Sequence, residues 1–141
     1  MGISKACEYA ILILEYFSTK SKGEICSKSE IVKSLILPED YISKVLQNLV
    51  KAGIINSLKG VKGGYQLNML AGRITFLEVI EAIDGKIRLI DGEPGKLKDS
   101  ERKKLYETMG RKMKAVESGI SEVLQSFSFD KPLKVSADSK N

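Results

Sequence analysis

Pro38-Glu39-Asp40-Tyr41-Ile42-Ser43-Lys44-Val45-Leu46-Gln47-Asn48-Leu49-Val50-Lys51 reads as one short helix with two different faces. Ile42, Val45, Leu46, Leu49 and Val50 recur at helical spacing and make an apolar stripe. Asp40, Tyr41, Ser43, Lys44, Gln47 and Lys51 lie off that stripe. Pro38 suits the first helical turn, where a missing N–H costs nothing, and Gly53 ends the pattern as a left-handed cap does. Such a helix can be an ordinary surface helix, or it can carry Ser, Lys, Gln and Tyr to the edges of DNA bases. The flanking sequence weighs between these readings.

Upstream, Ser27-Lys28-Ser29-Glu30 is a capping box that opens a helix with Ile31, Val32 and Leu35 on its apolar face. That helix ends near Ser34 or Leu35, and a turn of about three residues leads into Pro38, the layout of a helix-turn-helix. Before it, residues 4–18 predict a helix capped by Ser4, with Ala6, Ala10, Ile13, Leu14 and Phe17 on one side and Ile11 and Leu12 widening the apolar surface. Downstream, Ile54–Leu58 and Tyr65–Leu67 alternate like two strands around the basic, glycine-rich turn Lys59-Gly60-Val61-Lys62-Gly63-Gly64. A hairpin directly after a helix-turn-helix is a wing, and Lys59 and Lys62 at its tip can reach phosphates or a minor groove. A glycine-rich loop can also cradle nucleotide phosphates, but that needs a helix right after it, and here a strand pattern follows.

Thr75-Phe76-Leu77-Glu78 is a second capping box, opening a helix over 75–84 with Leu77, Val79, Ile80 and Ile83 as apolar positions, stopped at Asp84-Gly85. Residues 86–99 are irregular, with turn chemistry at Asp91–Gly95. A long helix then runs from about Ser100 to Phe127. Its Tyr106, Met109, Met113, Val116, Ile120, Val123 and Phe127 form a heptad seam, weakened by Gly110 and Gly119 at about 1 kcal/mol each relative to Ala. The seam either packs on its own chain or pairs two copies; we read it as a dimerisation helix. The expected fold is mostly α with a small β-hairpin: a winged helix-turn-helix domain over 1–85, an irregular linker or effector loop over 86–99, a dimerisation helix over 100–128 and a disordered tail over 129–141.

The 141 residues carry a net charge of +5, and +4 of it falls within residues 1–73, the half with the candidate reading helix. A basic excess favours an anionic partner such as nucleic acid. Two cysteines, Cys7 and Cys26, make no disulfide framework. With no signal-peptide pattern at the start and no run of the ~20 apolar residues that span a bilayer, a cytoplasmic setting without membrane contact is expected. There is no histidine and no nucleophile–base constellation, so no enzyme activity is expected.

The chain resembles the BadM-type (Rrf-two) bacterial transcription regulators in several runs. These are Leu37–Ile42, Leu46–Leu49, Ala52–Ile55, Ser57–Gly60 and Gly63–Leu67, together with Ile3-Ser4-Lys5, Tyr9-Ala10, Ile74-Thr75 and Val79–Ile83. The resemblance implies a homodimeric winged helix on a near-palindromic operator, with the recognition helix in the major groove and the wing against the minor groove. It places Tyr41, Ser43 and Lys44 at reading positions, and Lys59 where the family often has an arginine. Lys exchanges a planar fork for a point charge there. Many relatives hold an iron–sulfur cluster on three cysteines before the dimer helix, and residues 86–105 here contain none. No cofactor or metal is therefore expected, and Glu8, where some relatives place an extra ligand, reads as a plain helix carboxylate. The turn glycine of the family is Ile36 here. A β-branched residue disfavours positive φ, so either the turn avoids the left-handed region or the recognition helix is held differently.

The expected function is a cluster-free, sequence-specific DNA-binding regulator, a repressor. Ser4, Lys5, Ser27 and Lys28 at helix starts would fix register on phosphates. Asp40, Tyr41, Ser43, Lys44 and Gln47 would face bases, and Lys59, Lys62, Gly63, Gly64 and Tyr65 would serve as the wing contacts. Cys7 reads as a small core residue, and Cys26, near a helix N-terminus, as a redox candidate. A small-molecule or protein effector could meet the 86–99 segment. The rival reading is a winged-helix module for protein contact only, without a specific DNA site.

Overall fold

The computed structural model describes residues 2–90, 98 and 100–130. Ser4 opens the first helix, α1 (Lys5–Ser18), with its hydroxyl accepting the Cys7 amide, and the helix buries Cys7, Ala10, Ile13, Leu14 and Phe17. Leu12 remains exposed, so the apolar surface of α1 is narrower than Ile11 and Leu12 suggested. The next helix, α2 (Lys28–Leu35), carries the full capping box: the Glu30 amide donates to the Ser27 hydroxyl at 3.1 Å and the Ser27 amide to the Glu30 carboxylate at 3.3 Å.

Ile36 then takes φ 52° and ψ 54°. It is the only non-glycine residue with positive φ among the described residues. The turn therefore does not avoid the left-handed region; it keeps that shape and carries the strain of a β-branched side chain, which projects into solvent at 88% exposure. Pro38 sits one position earlier than expected, as N-cap of α3 (Glu39–Lys51), with its carbonyl accepting the Ile42 amide at 3.0 Å. The end of α3 is as expected. Gly53, at φ 75°, donates to the Val50 carbonyl, and Ile54 donates to that of Leu49, so the last turn's carbonyls are satisfied.

Two strands follow, β1 (Ile55–Leu58) and β2 (Gly64–Leu67), antiparallel in register from Ile55 opposite Leu67 to Leu58 opposite Gly64. Cys26 adds one rung on the far side of β2, exchanging both backbone hydrogen bonds with Tyr65 at 2.8 Å. Asn68 anchors the hairpin base: its side chain donates to the Gly53 carbonyl at 2.8 Å and accepts from Asn56 at 2.9 Å.

After a short 3-10 turn at Ala71–Arg73 comes α4 (Phe76–Asp84). Only half of its expected capping box is recorded: the Thr75 hydroxyl accepts the Glu78 amide. α1, α3 and α4 pack on one another around a core that also takes in Ile31, Ile54, Ile55 and Ile74. The long helix α5 (Ser100–Gln125) leans on α4 and buries none of its own residues.

Beyond α5 the chain turns back, which corrects two expectations. Phe127 lies past the helix end; its carbonyl accepts the Phe76 amide and its ring packs against Phe76, so it belongs to this contact rather than to a helical seam. Ser128 pairs with Thr75, and Phe129, expected in a disordered tail, is 2% exposed and stacked on Phe76 with ring centroids 4.6 Å apart. Removing an aromatic ring from water is worth about 1.5–3 kcal/mol, enough to hold this segment. Residues 131–141 of the expected tail and the turn at 91–95 lie outside the described residues. The element order is that of a winged helix-turn-helix followed by a long helix. No helix among the described residues is long and apolar enough to cross a membrane.

Candidate nucleic-acid interface

The apolar stripe of α3 faces inward: Ile42, Val45, Leu46 and Leu49 are buried, and Val50 is half-buried. The rest of the helix is thereby turned outward. Asp40, Tyr41, Lys44, Gln47 and Lys51 are exposed and Ser43 is half-buried. The Ser43 hydroxyl donates back to the Glu39 carbonyl at 3.1 Å, which leaves its oxygen free to accept. Burial of one face thus fixes the orientation of the other, because a rotation of α3 would expose four core residues.

The N-terminal ends of the three helices converge. Lys28, at the start of α2, lies 3.7 Å from Glu39, at the start of α3. Tyr9, one turn into α1, touches Tyr41 at the start of α3. Lys5, at the start of α1, pairs at 2.9 Å with Glu8, whose hydrogen bond and charge push the pKa of the Lys5 ammonium up. Helix N-termini carry partial positive charge and unsatisfied N–H groups, so their convergence suits an anionic ligand. The carboxylates of Glu8, Glu39 and Asp40 share this surface, so it is a patterned surface rather than a uniformly basic one.

The structure qualifies other expected contacts. Ser4 is already engaged: its amide donates to Asp84 Oδ2 at 2.8 Å and its hydroxyl donates to Asp84 Oδ1, in addition to capping α1. Lys5, the next residue, is exposed and pairs with Glu8 at 2.9 Å. Ser27 is spent on its own capping box. Lys59 and Lys62 are exposed on the hairpin tip. Gly63 and Gly64 also answer a steric need: a Cβ on Gly63 would collide with the Leu58 carbonyl, and one on Gly64, at φ 151°, would lie 2.5 Å from the Cys26 carbonyl. Tyr65 is half-buried against the core beside Cys26. One residue was missed. Tyr9 of α1 meets Tyr41 edge-on, with centroids 5.3 Å apart and planes at 84°. The sequence marks Tyr9 through the Tyr9-Ala10 run of the family resemblance and its place one turn after Lys5, but helical periodicity does not say which neighbour a half-buried ring will touch.

Cys26 is corrected as a redox candidate. It is fully buried, and burial pushes its thiol up, helped by Glu24 and Glu30. A reactive cysteine needs access and thiolate character, and Cys26 has neither. Cys7 is buried as expected, its thiol pushed up to about 11 by burial first and by Asp84 and Glu8 next.

The seam expected on α5 divides. Met109, Val116 and Val123, seven residues apart, are 40%, 50% and 59% exposed. Ile120, by contrast, is half-buried and lines a cleft of about 280 Å³ together with Ile80 of α4, Ile3, Ile87 and Leu124. Tyr106 and Met113 are half-buried.

A profile of the Rrf2 family, described as iron-dependent transcriptional regulators, matches residues 3–133. The chain belongs to the Rrf2 family. Its relatives in this family include a protein named as an HTH-type transcriptional regulator of Aquifex aeolicus, 31% identical over 57% of this chain and 56% of that protein. Another is the HTH-type transcriptional regulator NsrR of Bacillus licheniformis, 24% identical over 64% of each. The chain thus spans less than two thirds of the length of the curated relatives it matches. Among solved structures, CymR (YrzC), the global cysteine regulator of B. subtilis, shares the fold with a TM-score of 0.70 at 22% identity, over 92% of this chain and 94% of that one. IscR of T. potens does so at 0.65 and 22% identity, over 92% and 85%.

The iron in the Rrf2 description asks for ligands. Iron–sulfur clusters are held by thiolates, usually four. This sequence has two cysteines and no histidine, and both thiols are buried, Cys7 in α1 and Cys26 in the segment before α2. Among the described residues no group of three or more His, Cys, Asp or Glu could hold a metal ion. The residues present do not fit such a cluster.

Proposed function

We propose that this Rrf2 protein is a cluster-free, sequence-specific DNA-binding transcriptional regulator, a homodimeric repressor acting on a near-palindromic operator. The single observation that carries the reading is the division of α3: four buried aliphatic residues beneath, and Tyr41, Lys44 and Gln47 exposed above. A helix so held can lie in a major groove, where Lys donates to guanine and Gln pairs with adenine. Asp40 would accept from an exocyclic amino group and would repel a phosphate, which favours base over backbone at that position. Lys5 and Lys28 would take flanking phosphates, and Lys59 and Lys62 would follow the adjoining groove. The relatives named as transcriptional regulators support binding rather than catalysis as the role.

Dimerisation rests on Met109, Val116 and Val123. An apolar row repeating every seven residues on a 26-residue helix is what a second copy of the same helix would cover. Two-fold pairing would present two copies of α3 about one DNA turn apart, ~34 Å.

The test is selection of bound fragments from genomic DNA, followed by footprinting across a salt series. We expect a protected near-palindrome. With four to six phosphates contacted per dimer, log K should fall against log salt with a slope of roughly −4 to −5. Failure to enrich any site, or an affinity indifferent to salt, would overturn the reading and favour the protein-contact module.

A further inference from the structure

We infer that Tyr9, on α1, is a positioning residue for DNA reading: its ring fixes that of Tyr41 on α3, so that the reading surface is built by two helices rather than by α3 alone. The inference rests on the regulator reading above and deepens it. Tyr41 occupies the third position of α3, in the N-terminal turn that a recognition helix directs at base edges. It lies off the buried stripe and is 44% exposed, so the core leaves its ring free to turn. The ring contact recorded for it is Tyr9, edge against face, at 5.3 Å and 84°. That T-shaped arrangement sets the positive edge of one ring on the negative face of the other, which prefers one mutual orientation.

Tyr9 is itself well held. It is half-buried and packs against the core, on a helix whose next residue, Ala10, is fully buried. Lys5, one turn earlier on α1, lies on the same side of that helix and pairs with Glu8 at 2.9 Å, so a cation stands near the ring pair. A ring that is already oriented loses less freedom on binding. Immobilising one such side chain costs about 0.5–1.5 kcal/mol, which corresponds to about a two- to twelvefold change in affinity.

The experiment compares wild type, Tyr9→Phe, Tyr9→Leu, Tyr41→Leu and the Tyr9→Leu/Tyr41→Leu double variant on the selected operator. Urea melts accompany them, and ring resonances of Tyr41 are recorded in the free protein. Tyr9→Phe keeps the ring and should bind like wild type. Tyr9→Leu keeps most of the apolar contact but not the ring face. It should weaken binding about two- to twelvefold with an unchanged salt slope, because no charge is lost, and it should move and average the Tyr41 resonances. In the Tyr41→Leu background the effect of Tyr9→Leu should vanish. Equal losses in both backgrounds, or Tyr41 resonances indifferent to Tyr9→Leu, overturn the role of Tyr9 and leave the regulator reading standing. A wild type that selects no DNA site sinks the regulator reading and this inference together.

Discussion

Ile36 carries a local cost that the helix-turn-helix geometry imposes. At φ 52° its Cβ crowds the backbone, at about 1–2 kcal/mol for an L-residue, and its exposed side chain recovers little by burial. Ile36→Gly removes that strain but adds about 0.5–1 kcal/mol of unfolded-state entropy. A net gain between zero and about 1.5 kcal/mol is expected in urea unfolding, and a loss would show that the turn is not strained. Cys7 gives a prediction in pH. Its folded thiol titrates near 11, above the ordinary 9.0, so the folded chain keeps a proton that the unfolded chain releases. The stability this contributes is fully present below pH 9 and is lost as pH rises through 11, by an amount of order 2 kcal/mol. Unfolding midpoints followed from pH 8 to 11.5 should fall, and Cys7→Ala should flatten the decline. The backbone state of Ile36 could be posed from sequence only as an alternative, since a left-handed residue is imposed by the two helices on either side of it.

At the scale of elements, α1, α2 and the end of α3 were legible because their signals are local. Ser4, Ser27 with Glu30, and Gly53 each act within a few residues of themselves. The hairpin was legible as a hairpin, yet the reason for its glycines was not. The sequence suggested that Gly63 and Gly64 face DNA; the fold needs them for another reason as well. A Cβ on Gly63 would lie too close to the hairpin's own Leu58 carbonyl, and Gly64 is needed because the chain at Cys26, far away in sequence, pairs with Tyr65. Gly64→Ala should therefore unseat that rung. A loss of about 1–3 kcal/mol in unfolding free energy is expected, with faster amide exchange at Cys26 and Tyr65. Unchanged exchange at both amides would refute the steric account. Thr75 likewise caps α4 through its hydroxyl and also pairs through its backbone with Ser128, a pairing that no local pattern announces.

Across the whole molecule, the long helix shows what a period can and cannot reveal. Spacings of three and four gave seven seam positions, six of them on α5, but they cannot say which side of the seam the rest of the chain will cover. The fold places Ile120 towards α4 and leaves Met109, Val116 and Val123 outside. If that outer row pairs two copies, Val116→Glu should place two like charges in the contact. Burying unpaired charge costs several kcal/mol, so the dimer dissociation constant should rise about a hundredfold or more, with the monomer still folded. Sedimentation equilibrium with a parallel melt would measure both, and an unaltered dimer would move the contact elsewhere.

The sequence by itself determined the order of helices and strands, the inward face of α3 and the poor donor set for an iron–sulfur cluster, because caps, periodicity and composition are properties of neighbours along the chain. Only the tertiary structure decided that Tyr9 meets Tyr41, that Asp84 takes Ser4, that Cys26 is sealed beside Tyr65 and that Phe129 returns to the core. Each of these joins residues distant in sequence. Such pairs form only when several helices pack at once, and no local signal encodes which of the apolar and polar groups then become neighbours.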